Sequence, residues 1–375
     1  MRVGVPTEIK NNEYRVAITP AGASELVRHG HEVLIESGAG EGSAIHDADF
    51  AATGARIVRT ADEVWAEADL LLKVKEPIEP EYARMRSGQV LFTYLHLAAS
   101  KPCTDALLKS GITSIAYETV QTVGPDNWVA LPLLAPMSEV AGRLSAQVGA
   151  YHLMRTRGGR GVLMGGVPGV APARVVVIGG GMAGDNAAAV AWGMGAHVTV
   201  FDLNINILRK IDAEYGGAIE TRYSSRLELE EAVKQADLVI GAVLVPGAKA
   251  PKLVTNETVA QMKPGAVLVD IAIDQGGCFE DSRPTTHDDP TFPVHNALFY
   301  CVANMPGAVP RTSTFALTNA TLPYVTTLAD RGWREACRSD PALAAGLSTH
   351  DGQLLNEHVA EALQLPFTDP AALLT

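Results

Sequence analysis

The chain has 375 residues, enough for two domains, and its 47% hydrophobic and 19% charged residues are typical of a globular enzyme. Its net charge of −12, with no block of Lys or Arg, argues against nucleic acid and anionic membranes as partners. No apolar run is long enough for a bilayer, the first residues lack a signal-peptide layout, and four scattered cysteines indicate neither a zinc site nor disulfides, so we expect a cytoplasmic protein.

The first part of the chain alternates strands with helices. Strands are predicted at Arg2–Pro6, Glu32–Glu36, Asp69–Val74, Gln89–Leu95 and Thr113–Tyr117. Helices are predicted from Pro20 to about His29, after Thr60, and at Ser100–Ser110. Thr19 and Thr60 have the character of helix N-caps. This alternation is typical of a parallel, doubly wound sheet.

A turn-rich loop is predicted at Val123–Ala130, and an apolar helical period begins at Met137, with Ser138 as a candidate cap. Further strands are predicted at Val175–Ile178, Val198–Phe201, Leu238–Val243, Val267–Ile273 and Phe299–Val302, with helices at Ser225–Ala236 and Asn256–Met262. The polar stretch Gly276–Pro293 is predicted to be a loop, and a long helix from Thr314 to about Leu328 has the length to return the chain to its first domain. The last forty or so residues are predicted to be helix and loop.

A dinucleotide-binding fingerprint lies between two of these strands. Gly179, Gly181 and Gly184 fit G-x-G-x-x-G after a buried strand, and the next strand ends in Asp202. The three glycines permit a tight turn, a close approach of the backbone to a pyrophosphate, and close packing of helix on strand. Asp202 can accept hydrogen bonds from both ribose hydroxyls and would repel a 2′-phosphate. The pattern therefore predicts NAD rather than NADP.

Three polar residues near strand ends of the first part are candidates for substrate chemistry. Arg15 follows the first strand and can clamp a carboxylate bidentately. Lys75 can bind the same carboxylate or polarise a carbonyl, and His96 has the side chain for proton transfer near neutral pH. Taken singly, each is also explained as a solvated or strand-end residue. Their convergence on one sheet edge, where ligands bind in open parallel sheets, favours the functional interpretation.

In the second part, two acids lie at one strand end. Asp270 is within the apolar run and is explained as a structural hydrogen-bond acceptor, whereas Asp274 lies past the strand, where it can relay a proton. Asn304 can bind the nicotinamide carboxamide or orient Asp274. The adjacent His287, Asp288 and Asp289 are more typical of a solvated turn than of ligands, so no metal is predicted.

The chain resembles the alanine dehydrogenase/transhydrogenase α-subunit family over essentially its whole length, and most of all its mycobacterial alanine dehydrogenases. The residues that carry the resemblance are Pro6–Glu8, Asn11–Pro20, Leu72–Pro77, Phe92–Ala98, Asp270–Gly277 and Tyr300–Pro306. The resemblance implies two Rossmann-like α/β domains with a cleft between them. It implies a discontinuous substrate domain, 1–137 with 307–375, an NAD-binding domain, 138–306, and a homohexamer.

The resemblance also implies residue roles and an activity. Arg15 and Lys75 would bind the substrate, His96 would be the acid/base, and Asp274 the second catalytic acid. Because His96 and Asp274 belong to different predicted domains, we expect them to meet only when the cleft closes over NAD and substrate. Besides the fingerprint glycines, the implied NAD-binding residues are Ser138, Met182, Asp202, Ser224, Val243, Leu244, Ile271, Ala272, Ile273, Asp274, Arg283, Val302, Ala303, Asn304 and Met305. The implied reaction is the reversible, NAD-dependent oxidative deamination of L-alanine to pyruvate, ammonium and NADH.

Two alternatives stay open at this point: a soluble NAD-binding subunit of a proton-translocating transhydrogenase, and a non-catalytic NAD sensor. The chain also departs from the family pattern at three places. The loop Val123–Ala130 is longer than usual, Ile207 replaces a basic residue expected near the adenosine ribose, and Arg331 stands where relatives can carry a metal-binding His.

Overall fold

The computed structural model describes residues 1–124, 129–243 and 250–374. The chain divides into two compact units, each described here by itself. Unit 1 comprises Met1–Met137 with Val309–Thr375, and unit 2 comprises Ser138–Ala308.

The first segment of unit 1 alternates strands and helices, as predicted. Strands β1–β8 occupy Arg2–Val5, Glu32–Glu36, Arg56–Val58, Leu70–Leu72, Val90–Thr93, Thr113–Ala116, Thr122–Val123 and Val129–Ala130. Helices α1–α5 occupy Pro20–Arg28, Asp47–Ala51, Ala61–Glu67, Glu79–Tyr82 and Lys101–Ser110. The predicted N-caps are confirmed, because the Thr19 and Thr60 hydroxyls accept backbone N–H groups at the starts of α1 and α3.

The middle of the chain forms unit 2. Helix α6 occupies Ala135–His152, and strands β9–β15 occupy Arg174–Ile178, His197–Asp202, Glu220–Tyr223, Leu238–Gly241, Val267–Asp270, Thr291–Val294 and Ala297–Tyr300. Helices α7–α10 occupy Met182–Gly193, Ile205–Tyr215, Arg226–Gln235 and Asn256–Ala260. Ser138 is not the cap of α6, because the helix already begins at Ala135 with Pro136 in its first turn, where proline is tolerated.

The last segment returns to unit 1. Helix α11 occupies Pro310–Ser339, α12 Pro341–Ala344, β16 Leu347–His350, β17 Gln353–Leu354 and α13 Glu357–Leu363. Helix α11 is longer than predicted, and Gly332, with φ 74° and ψ 158°, interrupts it near its end. The prediction of only helix and loop after α11 was wrong, since β16 pairs with β6 and extends the unit 1 sheet. Within the described ranges, no helix has the length and apolarity needed to cross a membrane.

Both units are built on a sheet whose strand order reverses once. The unit 1 order is β17-β16-β6-β5-β4-β1-β2-β3, parallel from β6 to β3, and the unit 2 order is β11-β10-β9-β12-β13-β15-β14, parallel except at β14. The reversal lies between β1 and β4 in unit 1 and between β9 and β12 in unit 2. Ligands of such sheets bind beyond the carboxyl ends of the strands at the reversal.

The core of unit 2 covers both faces of its sheet. Along β9, Val175 and Val177 belong to one buried apolar cluster, whereas Val176 and Ile178 belong to another. Because successive side chains of a strand point to opposite faces, both faces are packed. In unit 1, Leu70, Leu71 and Leu72 of β4 are all fully buried. The predicted class, doubly wound α/β in both domains, is confirmed.

Several predicted elements differ from the structure at their ends, most of them by one to three residues. The strand predicted at Val267–Ile273 stops at Asp270, because the Asp270 carboxylate accepts the Ala272 N–H at 3.0 Å and begins a 3-10 turn over Ile271–Gln275. The stretch predicted as a loop, Gly276–Pro293, ends in β14, which pairs antiparallel with β15. The two ends of the Val123–Ala130 loop pair as an antiparallel ribbon, while residues 125–128 lie outside the described residues.

Candidate active site

Arg15 is almost entirely buried, in the loop between β1 and α1, with 2% of its surface exposed. Its guanidinium holds the Glu13 carboxylate bidentately, with Nε 2.6 Å and Nη2 2.5 Å from the two oxygens. Its Nη1 lies 3.0 Å from the Met137 sulfur. Burial acts to lower the pKa of Arg15, but Glu13 outweighs it and raises that pKa. In this structure the bidentate face of Arg15 holds the Glu13 carboxylate, and the binding of a substrate carboxylate by Arg15 stays a prediction.

Lys75 follows β4 and is held by a buried ionic cluster that the sequence analysis did not identify. Glu8 accepts the backbone N–H of Val74 at 2.5 Å and that of Lys75 at 3.4 Å. The other oxygen of Glu8 lies 2.9 Å from the ammonium of Lys73, which is fully buried and equally close to Glu81. Burial acts to lower the pKa of Lys73, but the two carboxylates reverse this and raise it. The cluster fixes the backbone that carries Lys75.

His96 follows β5, and its backbone is in the left-handed conformation, with φ 48° and ψ 38°. This conformation costs a non-glycine residue roughly 1–2 kcal/mol. Its N–H donates to the Glu118 carboxylate at 2.6 Å. Its side chain is one-third exposed, and its ring lies 5.9 Å from the Tyr94 ring. The hydrogen bond to Glu118 therefore fixes the backbone that carries the imidazole, while part of the ring is exposed to solvent.

The Glu76 carboxylate lies beside the His96 imidazole, with 3.5 Å between Glu76 Oε2 and His96 Nδ1. Its other oxygen pairs with the Lys10 ammonium. Burial acts to raise the pKa of Glu76, but the His96 imidazole and the Lys10 charge outweigh burial and lower it to about 2. The 3.5 Å separation is an ion-pair distance rather than a hydrogen bond, and it places the Glu76 carboxylate on the Nδ1 side of the ring.

These contacts link three candidate residues of unit 1. Glu76 connects the segment of Lys75 to His96, and Glu8 connects the loop of Arg15 to the end of β4. Because β1, β4 and β5 are parallel neighbours, the segments that follow them leave the sheet at the same edge. The structure thus brings Arg15, Lys75 and His96 to one edge of the unit 1 sheet.

The fingerprint of unit 2 has the geometry its glycines require. Gly179 directly follows β9 and has φ 95°, and a Cβ there would lie 2.8 Å from the Ala242 carbonyl oxygen. A Cβ at Gly184 would overlap the Gly179 carbonyl oxygen, so α7 packs onto the turn only because residue 184 has no side chain. Around Gly181, the N-cap of α7, the space is open. The N–H groups of the first turn of α7, which begins at Met182, form a site suited to a pyrophosphate.

Asp202 ends β10 beside this turn. Its two oxygens accept the N–H groups of Gly180 and Asn204, each at 2.7 Å. The Ser224 N–H donates to the Asp202 carbonyl at 3.0 Å and so brings the end of β11 to the same place. Ile207 packs over Gly180 with a side chain that carries no charge. Val243 follows β12 at this sheet edge, whereas Leu244 lies outside the described residues.

Asp274 is exposed in the 3-10 turn that follows β13, together with Ile271, Ala272 and Ile273. The preceding Asp270 has no exposed surface and accepts the Cys278 N–H at 2.9 Å and the Ser282 hydroxyl. Burial raises the pKa of Asp270, and these hydrogen bonds act against that rise. The interpretation of Asp270 as a structural acceptor is confirmed: it ties the turn that carries Asp274 to the following loop.

The remaining candidates of unit 2 lie on several elements. The segment after β15 carries four of them: Val302, Ala303, Asn304 and Met305. Asn304 has a positive φ of 65°, and an isolated β-bridge between Thr285 and Val302 holds the preceding loop against this segment. Arg283 stacks on the Phe292 ring, 4.1 Å from its centroid, on the antiparallel side of the sheet. Ser138 lies in the first part of α6, one turn before Gly142, whose backbone packs against the Ala183 carbonyl at the start of α7. Among the described residues, no group of three or more His, Cys, Asp or Glu side chains is arranged to hold a metal ion.

With this geometry in view, two family models match the chain. They are described as alanine dehydrogenase/PNT, N-terminal domain, over residues 4–141, and alanine dehydrogenase/PNT, C-terminal domain, over residues 145–357. The chain belongs to the alanine dehydrogenase/PNT family. The family resemblance inferred from the sequence motifs is confirmed.

Similar members of the alanine dehydrogenase/PNT family cover the whole chain. The chain is 81% identical to a protein named alanine dehydrogenase from Mycolicibacterium smegmatis and 76% identical to one from Mycobacterium tuberculosis, each over 100% of both chains. A solved L-alanine dehydrogenase matches with a TM-score of 0.93 at 49% identity, covering 97% of this chain and 99% of the other. A solved transhydrogenase from Sinorhizobium meliloti matches with a TM-score of 0.79 at 26% identity, covering 95% and 99%.

Sequence reasoning missed four residues that hold the candidate site of this family member together: Glu8, Lys73, Glu76 and Glu118. Glu76 and Glu118 each follow a strand, as Lys75 and His96 do, so the strand-end rule that selected those two would also have found Glu76 and Glu118. Glu8 and Lys73 could not be told from surface residues, since their burial depends on pairing across different strands.

Proposed function

We propose that the chain is an NAD-dependent L-alanine dehydrogenase. The reaction is reversible: L-alanine, NAD⁺ and water give pyruvate, ammonium, NADH and a proton. The observation that carries the proposal is the convergence of Arg15, Lys75 and His96 on one sheet edge, in a chain 81% identical over its full length to an alanine dehydrogenase. The transhydrogenase alternative is weaker, because the solved transhydrogenase is only 26% identical.

Unit 2 fits NAD. The tight approach of Gly184 to Gly179 leaves the first turn of α7 open to a pyrophosphate, and Asp202 offers a carboxylate to the ribose diol. NAD held there would supply the acceptor for the hydride of the alanine Cα. The other residues we assign to its binding are Ser138, Gly181, Met182, Ser224, Val243, Leu244, Ile271, Ala272, Ile273, Asp274, Arg283, Val302, Ala303, Asn304 and Met305.

Unit 1 binds and processes the amino acid. Arg15 and Lys75 hold the substrate carboxylate, and Lys75 also polarises the carbonyl oxygen of pyruvate. Water adds to the imine that oxidation produces, and His96 takes up and returns protons at its Nε2 while Glu76 faces Nδ1. Asp274 is the second acid of the reaction. The substrate function of residues 1–137 and 307–375 and the NAD function of residues 138–306 belong to this proposal.

Assembly and location extend the proposal. We infer a homohexamer, which the family resemblance supports. We also infer that the protein works in the cytoplasm, where a reducing environment suits its four buried thiols, Cys103, Cys278, Cys301 and Cys337. Light scattering on the pure protein tests the assembly. The activity itself is tested by NADH formation from L-alanine and NAD⁺, with L-alanine and NADP⁺ as the matched control. A protein that binds NAD but forms no NADH would favour the non-catalytic sensor.

A further inference from the structure

The left-handed backbone at His96 requires an explanation from its surroundings. A residue other than glycine keeps such a conformation only where the structure around it imposes it, and such residues cluster at functional sites. His96 lies three residues after the end of β5, where the chain turns into the 3-10 turn Leu97–Ala99. The contacts of the 95–96 backbone therefore decide where the imidazole projects.

One carboxylate holds this backbone. Glu118 accepts the Leu95 N–H, with 3.1 Å to each of its oxygens, and the His96 N–H at 2.6 Å. Successive N–H groups turned to one side form a concavity that binds an anion, and here the anion is a side chain of the same unit. Glu118 lies in the 3-10 turn Tyr117–Thr119, which directly follows β6, the parallel neighbour of β5.

We propose that Glu118 is a positioning residue for His96. It fixes the backbone from which the imidazole projects, while Glu76 faces the ring itself. The inference rests on the proposed function, in which His96 moves protons during alanine oxidation. If Glu118 only joined β5 to β6, its loss would lower stability and act on turnover independently of His96.

A double-mutant cycle separates these possibilities. The variants are Glu118→Ala, His96→Ala and the double variant. Glu118→Gln is added because its amide oxygen still accepts both N–H groups, and Thr119→Ala serves as the matched control. Thr119 lies in the same turn, where its hydroxyl donates to the Ala116 carbonyl at 3.4 Å. For each protein, kcat, KM for L-alanine, Kd for NAD and Tm are measured.

We expect Glu118→Ala to lower kcat by about 10²-fold when His96 is present, since a small misplacement of a catalytic group has an effect of that order. In the His96→Ala background the further loss should be less than about threefold. Glu118→Gln should recover most of the activity, Thr119→Ala should stay within about twofold of the wild type, and the Kd for NAD should be unchanged.

Equal losses on removing Glu118 with and without His96 would overturn the proposal, as would a Glu118→Ala enzyme with the wild-type kcat. If Glu118→Ala does not fold, the cycle is run with Glu118→Asp, whose shorter side chain draws the carboxylate back from the Leu95 and His96 N–H groups, and a loss that is the same in both backgrounds would again overturn the proposal. A wild type that forms no NADH from L-alanine would refute the proposed function instead, so the two failures are distinguishable.

Discussion

Replacing Asp202 with alanine should weaken NAD binding and narrow the preference for NAD over NADP. The carboxylate already orders the turn by accepting the Gly180 and Asn204 N–H groups, each at 2.7 Å. In the proposed complex it also accepts two ribose hydroxyls. Each hydrogen bond to a charged group contributes roughly 1.5–3 kcal/mol, so losing the pair costs about 3 kcal/mol or more, which corresponds to an increase in KM for NAD on the order of 10²-fold.

The assay is the initial rate of L-alanine oxidation at varied NAD⁺ and NADP⁺. Because the ribose contacts are made equally in the ground and transition states, KM should rise while kcat at saturation stays within a few-fold of the wild type. Asp212→Ala is the matched control: it removes an exposed carboxylate from α8 and should leave both parameters unchanged. Equal kcat/KM for NAD and NADP in the wild type, or an unchanged KM in Asp202→Ala, would refute this reasoning.

Three further predictions follow from particular contacts. Gly184→Ala should abolish NAD binding and lower Tm, because its Cβ would overlap the Gly179 carbonyl oxygen, and calorimetric titration with NAD checks this. The folded protein lowers the pKa of Glu76 from 4.5 to about 2. The ionised carboxylate therefore contributes up to about 3 kcal/mol to the free energy of unfolding above pH 4.5, and this contribution is lost as the pH falls through 2. The Tm difference between the wild type and Glu76→Gln should therefore shrink between pH 4.5 and pH 2, and a constant difference would contradict the assignment. Shortening the Val123–Ala130 loop to a tight Asp-Gly turn that keeps the β7–β8 pairing should leave kcat within a few-fold, whereas a loss on the order of a thousandfold would show that the loop shapes the site.

The fold class was predictable because the chain carries strong local signals. Buried apolar strands, threonine N-caps and a glycine fingerprint each depend on neighbours in sequence, and each is where the sequence placed it. β16 was not predictable in this way, because it exists through its pairing with the distant β6. β14 pairs with β15 across the two residues His295 and Asn296, a local hairpin that the sequence analysis missed. The early end of β13 comes from a side-chain hydrogen bond of Asp270, which apolar periodicity cannot reveal.

The candidate site divides in the same way. Lys75 and His96 were found from their place near strand ends, and Asp202 from its spacing to the glycines. The charges that hold them were not found, because a sequence does not show that Glu8 meets the backbone at Val74, or that Glu118 meets the backbone at His96. The left-handed conformation of His96 carries no residue-type signal, since glycine, its usual occupant, is absent there.

The most direct test of the account compares NADH formation from L-alanine and NAD⁺ by the wild type and by His96→Ala. The account predicts that the wild type forms NADH and that His96→Ala has a kcat about 10²–10⁴-fold lower, which is the usual contribution of a general acid/base. The Kd for NAD should be unchanged in His96→Ala, because the fingerprint lies in the other unit. The Tm of this variant should change little. A destabilised His96→Ala protein with the wild-type kcat would contradict the central claim.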